Sequence, residues 1–314
     1  MDEQAERLRH WVREQARDMA RDVRDRRLGG PHVLAVTSGK GGVGKSNLAL
    51  ALGIAMAGKG ARTAVLDADL GLANISIILG GEPRHTLWEV MDGQTELQEV
   101  LQPGPEGVLI IAGAAGLAEA AAADAVTLAR LTRQFQQLEN LVDWLIVDTG
   151  AGIAPNVLAF VMAADSALVV TTPEPTALAD AYGLVKAVNG QKSTVRLLLT
   201  VNRASDPVRG LRVGERLVEL AQRALAQSVE LLGVVAEDPA VGRAVLQQKP
   251  FNVASPHSPA SLDVDRLADR LLGRSASAEQ TGLHDFVGRV VALRRTLNEG
   301  PTAPVAPMEG ADGR

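Results

Sequence analysis

Val33-Leu-Ala-Val-Thr37 runs directly into Ser38-Gly-Lys-Gly-Gly-Val-Gly-Lys-Ser-Asn47, and this stretch decides the fold. A short apolar run enters a glycine-rich turn, and the turn opens a helical pattern from Lys45 to about Lys59. Strand, loop and helix in that order form the context of a phosphate-binding loop. Gly39, Gly42 and Gly44 let the backbone take positive φ and bring its N–H groups close to a polyphosphate. The helix aims the positive end of its dipole at the same anion. The expected binding set is Gly39, Lys40, Gly41, Gly42, Val43, Gly44, Lys45, Ser46 and Asn47. Lys45 would reach the β- and γ-phosphates, and the Ser46 hydroxyl would hold Mg²⁺. Lys40 is a second lysine inside the loop, which the minimal motif does not require.

Such a loop needs carboxylates to hold the metal and position water. Two further apolar runs end in Asp: Thr63-Ala-Val-Leu-Asp67-Ala-Asp69 and Trp144-Leu-Ile-Val-Asp148. Asp at the end of a strand also serves as a helix cap or turn residue. In a parallel sheet, however, both runs deliver their carboxylates to the edge where the loop lies. Asp148 is the expected Walker-B residue, Asp69 the residue that orients the attacking water, and Asp67 a support for the metal shell.

The composition narrows the alternatives. The chain has 314 residues and a net charge of −5, which argues against wholesale nucleic-acid binding. It has no cysteine, which excludes disulfides, Cys-ligated zinc and iron–sulfur clusters. No apolar run reaches membrane-spanning length, and the charge-dense N-terminus is not a secretory signal, so a cytoplasmic protein is expected.

Four pieces separate along the chain. Residues 1–27 carry eight Arg and seven Asp or Glu with a narrow apolar stripe, and read as a charged helix. Residues 31–273 form the main domain. Within it strands are expected near 33–37, 63–67, 108–112, 144–148, 166–172, 195–201 and 232–235, alternating with helices. The expected fold class is α/β, a P-loop NTPase, and the resemblance carried by the loop and its aspartates, given below, implies the SIMIBI type. Its mostly parallel sheet would have about seven to eight strands with helices on both faces. A further amphipathic helix spans 281–298, and the Pro- and Gly-rich tail 299–314 is expected to be disordered.

Lys40 within Gly39-Lys-Gly-Gly-Val-Gly-Lys-Ser46, together with Asp67-x-Asp69-x-Gly71-x-x-Asn74 and Asp148-x-x-x-Gly152, resembles the deviant Walker-A ATPases, the MinD/ParA group. The resemblance implies binding of ATP and ADP with Mg²⁺, slow hydrolysis, and an ATP-dependent homodimer. In that dimer Lys40 would cross to the partner's nucleotide, where a second cation offsets charge built up in phosphoryl transfer. Thr171-Thr-Pro-Glu-Pro-Thr-Ala-Leu-Ala-Asp180-Ala-Tyr182 resembles the Pro-Glu-Pro-Thr segment of the FlhG group (YlxH or FleN), MinD-like regulators of flagellar number. Asp180 matches the position that pairs with the signature lysine in MinD relatives. Adenine contacts are implied at Asn202 and Arg203 and at Glu237 and Asp238, although this chain has Ala236 where the family commonly has Pro.

Both ends extend the resemblance. Glu3-Gln4-Ala5-x-x-Leu8-Arg9 is similar to the short motif by which FlhG stimulates the FlhF-type GTPase, so Gln4, Ala5, Leu8 and Arg9 are the expected partner-binding residues. Leu283, Phe286, Val287, Val290, Leu293 and Leu297 fall on one face of the last helix, with Arg294 beside it. That pattern suits reversible attachment to the anionic inner face of the cell membrane, and equally a helix docked on the sheet. Flagellar switch-complex proteins or a flagellar transcription regulator are further implied partners, and sequence-specific nucleic acid is not. The alternatives are a ParA-type partitioning ATPase, a MinD-type division-site regulator, and a metabolic enzyme on the same fold.

Overall fold

A computed structural model describes residues 30–69, 74–113, 125–274 and 282–299. Among these, eight strands form one sheet: β1 (His32–Ser38), β2 (Thr63–Ala68), β3 (Gln102–Pro103), β4 (Leu109–Ile111), β5 (Trp144–Ala151), β6 (Ser166–Thr171), β7 (Arg196–Ala204) and β8 (Val229–Ala236). Their spatial order is β3-β4-β2-β5-β1-β6-β7-β8. All neighbours run parallel except the short edge pair β3 and β4. Helices cover both faces, so the inner strands must be apolar on both sides. β1 is buried at every residue, and this is why it reads as a continuous apolar run.

The helices in chain order are α1 (Lys45–Gly58), α2 (Asn74–Leu79), α3 (Leu87–Met91), α4 (Leu97–Val100), α5 (Ala125–Glu139), α6 (Pro155–Ala163), α7 (Pro175–Gly190), α8 (Pro207–Leu225), α9 (Pro239–Leu246), α10 (Phe251–Ala254), α11 (Pro259–Arg274) and α12 (Leu283–Glu299). One face of the sheet packs α1, α2 and α9 to α11, and the other packs α5 to α8 and α12. α1 is deeply enclosed, with Leu48, Leu50, Leu52 and Ile54 all buried. Each contributes about 1.5–3 kcal/mol by leaving water. Gly53 brings the helix down onto the sheet, because a Cβ there would lie 2.4 Å from Val65 Cγ2.

The register of the central strands builds the site. Val36 of β1 pairs with Asp148 of β5, and Asp148 pairs with Asp67 of β2. The glycine loop and both carboxylate-bearing strands therefore end side by side.

α12 corrects one of the two sequence readings of the C-terminal helix. Leu283, Phe286, Val287, Val290 and Val291 are buried against α5 and α6, and the rings of Phe286 and Phe160 lie 6.4 Å apart. Phe286, Val287 and Val290, expected to face lipid, instead face protein. Arg294 is half-buried and donates to Asn298 Oδ1 at 3.2 Å. The N-terminus of α12 is held by Glu139 at the end of α5. One of its carboxylate oxygens accepts the His284 N–H at 3.0 Å and lies 2.9 Å from His284 Nδ1. The hydrogen bond to Glu139 raises the His284 pKa above its ordinary value. Burying a continuous apolar stripe on the domain's own helices is the physical reason that the lipid assignment does not hold for this conformation.

Candidate active site

The glycine loop has the conformation that its sequence requires. Gly42 and Gly44 take φ of 79° and 90°, where an L side chain is strained. Gly39 has a different reason to lack a side chain: its Cβ would lie 2.2 Å from the backbone of Asp180 in α7. The loop opens α1 at Gly44, whose carbonyl accepts from Leu48 N–H at 3.0 Å. Ser46 and Asn47 are half-buried in the first turn.

Lys45 is 7% exposed, and its Nζ lies 2.6 Å from Asp148 Oδ1 and 3.3 Å from Ser46 Oγ. Asp148 is fully buried, and its second oxygen, Oδ2, has no hydrogen-bond partner. Burial pushes the Asp148 carboxyl up, and the Lys45 ammonium and Ser46 hydroxyl only partly offset it. A buried carboxylate with a spare oxygen beside a hydroxyl is a hard-oxygen donor set that fits Mg²⁺. An arriving polyphosphate would give Lys45 a second anion and leave Asp148 for the metal shell.

Asp67 stands beside Asp148 on the neighbouring strand. Its two oxygens accept from Asp69 N–H at 3.2 Å and Ile75 N–H at 3.1 Å, which fixes the chain on either side of residues 70–73. Burial first, and then the charge of Asp148, pushes its pKa up to about 6. Asp69 accepts from Asn74 Nδ2 at 3.1 Å, and its Oδ1 lies 3.8 Å from where a Cβ on Gly150 would sit. It therefore reaches over the end of β5, beyond Asp148. Sequence reasoning gave Asn74 no role. Its spacing from Asp69 was the available signal.

Farther along the sheet edge, Arg203 and Glu237 form an ion pair at 3.7 Å. With Thr172, Glu174, Asp206 and Arg209 they line a cleft of about 260 Å³. Asp238, expected beside them, is a scaffold residue instead. Its oxygens accept from Ala240 N–H at 2.8 Å and Ala260 N–H at 3.2 Å, tying the starts of α9 and α11 together. Burial works against the charged form, but these donors and the Ser258 hydroxyl hold the carboxyl below its ordinary value. Gln4, Ala5, Leu8 and Arg9 lie outside the described residues.

The ParA family model, described as the NUBPL iron-transfer P-loop NTPase group, matches residues 30–272. The antiactivator FleN of Pseudomonas aeruginosa is 38% identical over 260 residues, covering 82% of this chain and 93% of that protein. The chain belongs to the MinD/ParA family of P-loop ATPases. The flagellum site-determining protein YlxH of Helicobacter pylori is 33% identical over 275 residues, covering 84% of this chain and 90% of YlxH. Among solved structures, the septum site-determining MinD of Pyrococcus horikoshii, complexed with Mg-ADP, superposes with a TM-score of 0.61 at 26% identity, covering 79% of this chain and 98% of that one.

For a MinD/ParA ATPase, the placement of Lys40 matters most. Its Nζ donates to Thr176 Oγ1 at 3.2 Å and lies 3.6 Å from Glu174 Oε2, on the exposed rim. The expected partner, Asp180, instead contributes its backbone as the wall behind Gly39. Glu174 precedes α7 and its side chain makes no capping bond to that helix, which leaves it available to Lys40. Among MinD/ParA features, the separation of the two lysines is clear: Lys45 is enclosed on Asp148, and Lys40 is outside on α7.

Proposed function

We propose that this ATPase is a Mg²⁺–ATP-dependent dimerising switch that regulates the number or placement of flagella. The flagellar part rests on the likeness to FleN and YlxH, together with the Pro-Glu-Pro-Thr segment at 173–176. The observation that carries the switch is Lys40, a cation at the phosphate loop whose ammonium faces the rim and not its own Asp148. In an ATP-bound pair, Lys40 of each protomer would leave Glu174 and reach the other protomer's phosphates. Hydrolysis would then depend on association, because the charge that stabilises the transition state arrives with the partner. Ser46 and Asp148 would hold the metal, Lys45 the β- and γ-phosphates, and Asp69 the attacking water. Arg203 and Glu237 frame the cleft for the base. ATP shifts the monomer–dimer population only by binding the dimer preferentially, and turnover resets it.

The dimer's partner in this reading is an FlhF-type GTPase engaged by residues 3–9, with a flagellar switch-complex protein or transcription regulator downstream. The protein would work in the cytoplasm, and reversible attachment to the inner face of the membrane would require α12 to leave its seat on α5 and α6. None of the described helices is long and apolar enough to cross a bilayer. Adding the full-length chain to the cognate FlhF-type GTPase should raise its GTP hydrolysis at least several-fold, and Gln4→Ala should remove the stimulation. Equal rates with and without the chain would overturn the partner assignment.

A further inference from the structure

Asn202 does something that a base-contacting residue need not do. It lies in a bulge of β7, where Val201 pairs with Val234 and Ala204 with Ala236, so three steps on one strand face two on the other. The bulge includes Arg203 at a φ of +55°, and a bulge of this kind re-aims a side chain. Asn202 is 8% exposed, and its Nδ2 donates to the carbonyl of Val43 at 2.8 Å. Val43 belongs to the glycine loop, 159 residues away in sequence. The fit is close: a Cβ on Gly44 would lie 2.4 Å from Asn202 Nδ2. Gly44 is therefore required twice, for its positive φ and for the space that the amide occupies.

The consequence follows from peptide geometry. In a planar trans peptide the C=O and N–H point in opposite directions, and the described chain has no cis bond. Holding the Val43 carbonyl on Asn202 therefore turns the Gly44 N–H to the opposite side. Freed, that peptide could rotate and present a carbonyl oxygen to the phosphates, where it would repel them. We propose that Asn202 is a positioning residue for the phosphate loop. It acts on the polyphosphate through Val43 and Gly44, in addition to any contact with the base. It also gives the base end of the site a direct mechanical link to the phosphate end. The inference rests only on the chain being a P-loop ATPase, and wild-type ATP binding, measured alongside, tests that separately.

The discriminating ligand is inorganic tripolyphosphate with Mg²⁺, which has no base. Calorimetric affinities for tripolyphosphate and for ATP would be compared in the wild type, Asn202→Ala and Asn202→Asp. Asp keeps the shape of Asn, but its carboxylate cannot donate to a carbonyl. Both variants should weaken tripolyphosphate about tenfold or more, in line with loss of a buried hydrogen bond at a charged site. Asn202→Asp should be at least as weak as Asn202→Ala. Thermal unfolding without ligand identifies the folded variants, and the isosteric Asp variant carries the test if Ala unfolds. Tripolyphosphate affinity unchanged in a folded variant, whether or not ATP affinity falls, would overturn the proposal.

Discussion

Asp67 shows how a single carboxylate can serve a site at the expense of the fold. Its pKa is raised to about 6 from 3.8, so between these values the folded protein holds a proton that the unfolded chain has lost. Stability from this group is therefore full at low pH and falls as pH rises through about 4 to 6, because the folded state binds more protons there. A shift of about two units corresponds to roughly 3 kcal/mol at most. In urea unfolding without nucleotide, the wild type should lose stability across that window, and Asp67→Asn should lose distinctly less. Parallel curves would show that Asp67 ionises normally. The same substitution should abolish ATP turnover, since the Asp69 and Ile75 N–H groups use different oxygens and the Nδ2 that replaces one of them cannot accept, so the chain beside Asp69 loses part of its brace. At this scale the sequence was informative for Lys45, Asp67 and Asp148, whose positions follow from strand ends in a parallel sheet. It could not reveal that Glu174 holds Lys40 or that Asn202 holds Val43. Those contacts join residues 134 and 159 apart through folding of the whole sheet.

Elements were legible in proportion to how completely they repeat a period. β1, β2, β5 and β6 are buried on both faces and appear as unbroken apolar runs, so their positions follow from the sequence within a residue or a few. α2, α3, α4, α10 and β3 were not expected, because four to six residues barely exceed one helical turn and two residues show no alternation. α12 was expected as an amphipathic helix, but the same stripe suits lipid or protein, and only its packing decides. Phe286 is fully buried beside Phe160, so Phe286→Ala should destabilise the whole domain by about 3–5 kcal/mol in equilibrium unfolding. A loss below about 1 kcal/mol would mean that α12 spends most of its time off the domain and would reinstate the lipid-facing reading.

Across the whole molecule, one sheet edge gathers the phosphate loop, three aspartates and the cleft beside Arg203 and Glu237, and places Lys40 at their outer rim. The fold and the phosphate loop follow from local sequence and elementary sheet geometry, and the family from the motif resemblance and the match to its relatives. Association cannot be read this way, because in the proposed dimer a single chain would display only half of the site. If Lys40 acts across the dimer, two inactive variants should complement each other. Lys40→Ala and Asp69→Ala should each be inactive alone. In a mixed dimer, the Lys40→Ala protomer keeps its own Asp69 and receives Lys40 from its Asp69→Ala partner, so one of the two sites is intact. An equimolar mixture should therefore recover up to about a quarter of the wild-type ATP turnover, since half the dimers are mixed and each has one working site. A mixture as inactive as its two components would mean that Lys40 serves its own nucleotide and does not act across the dimer.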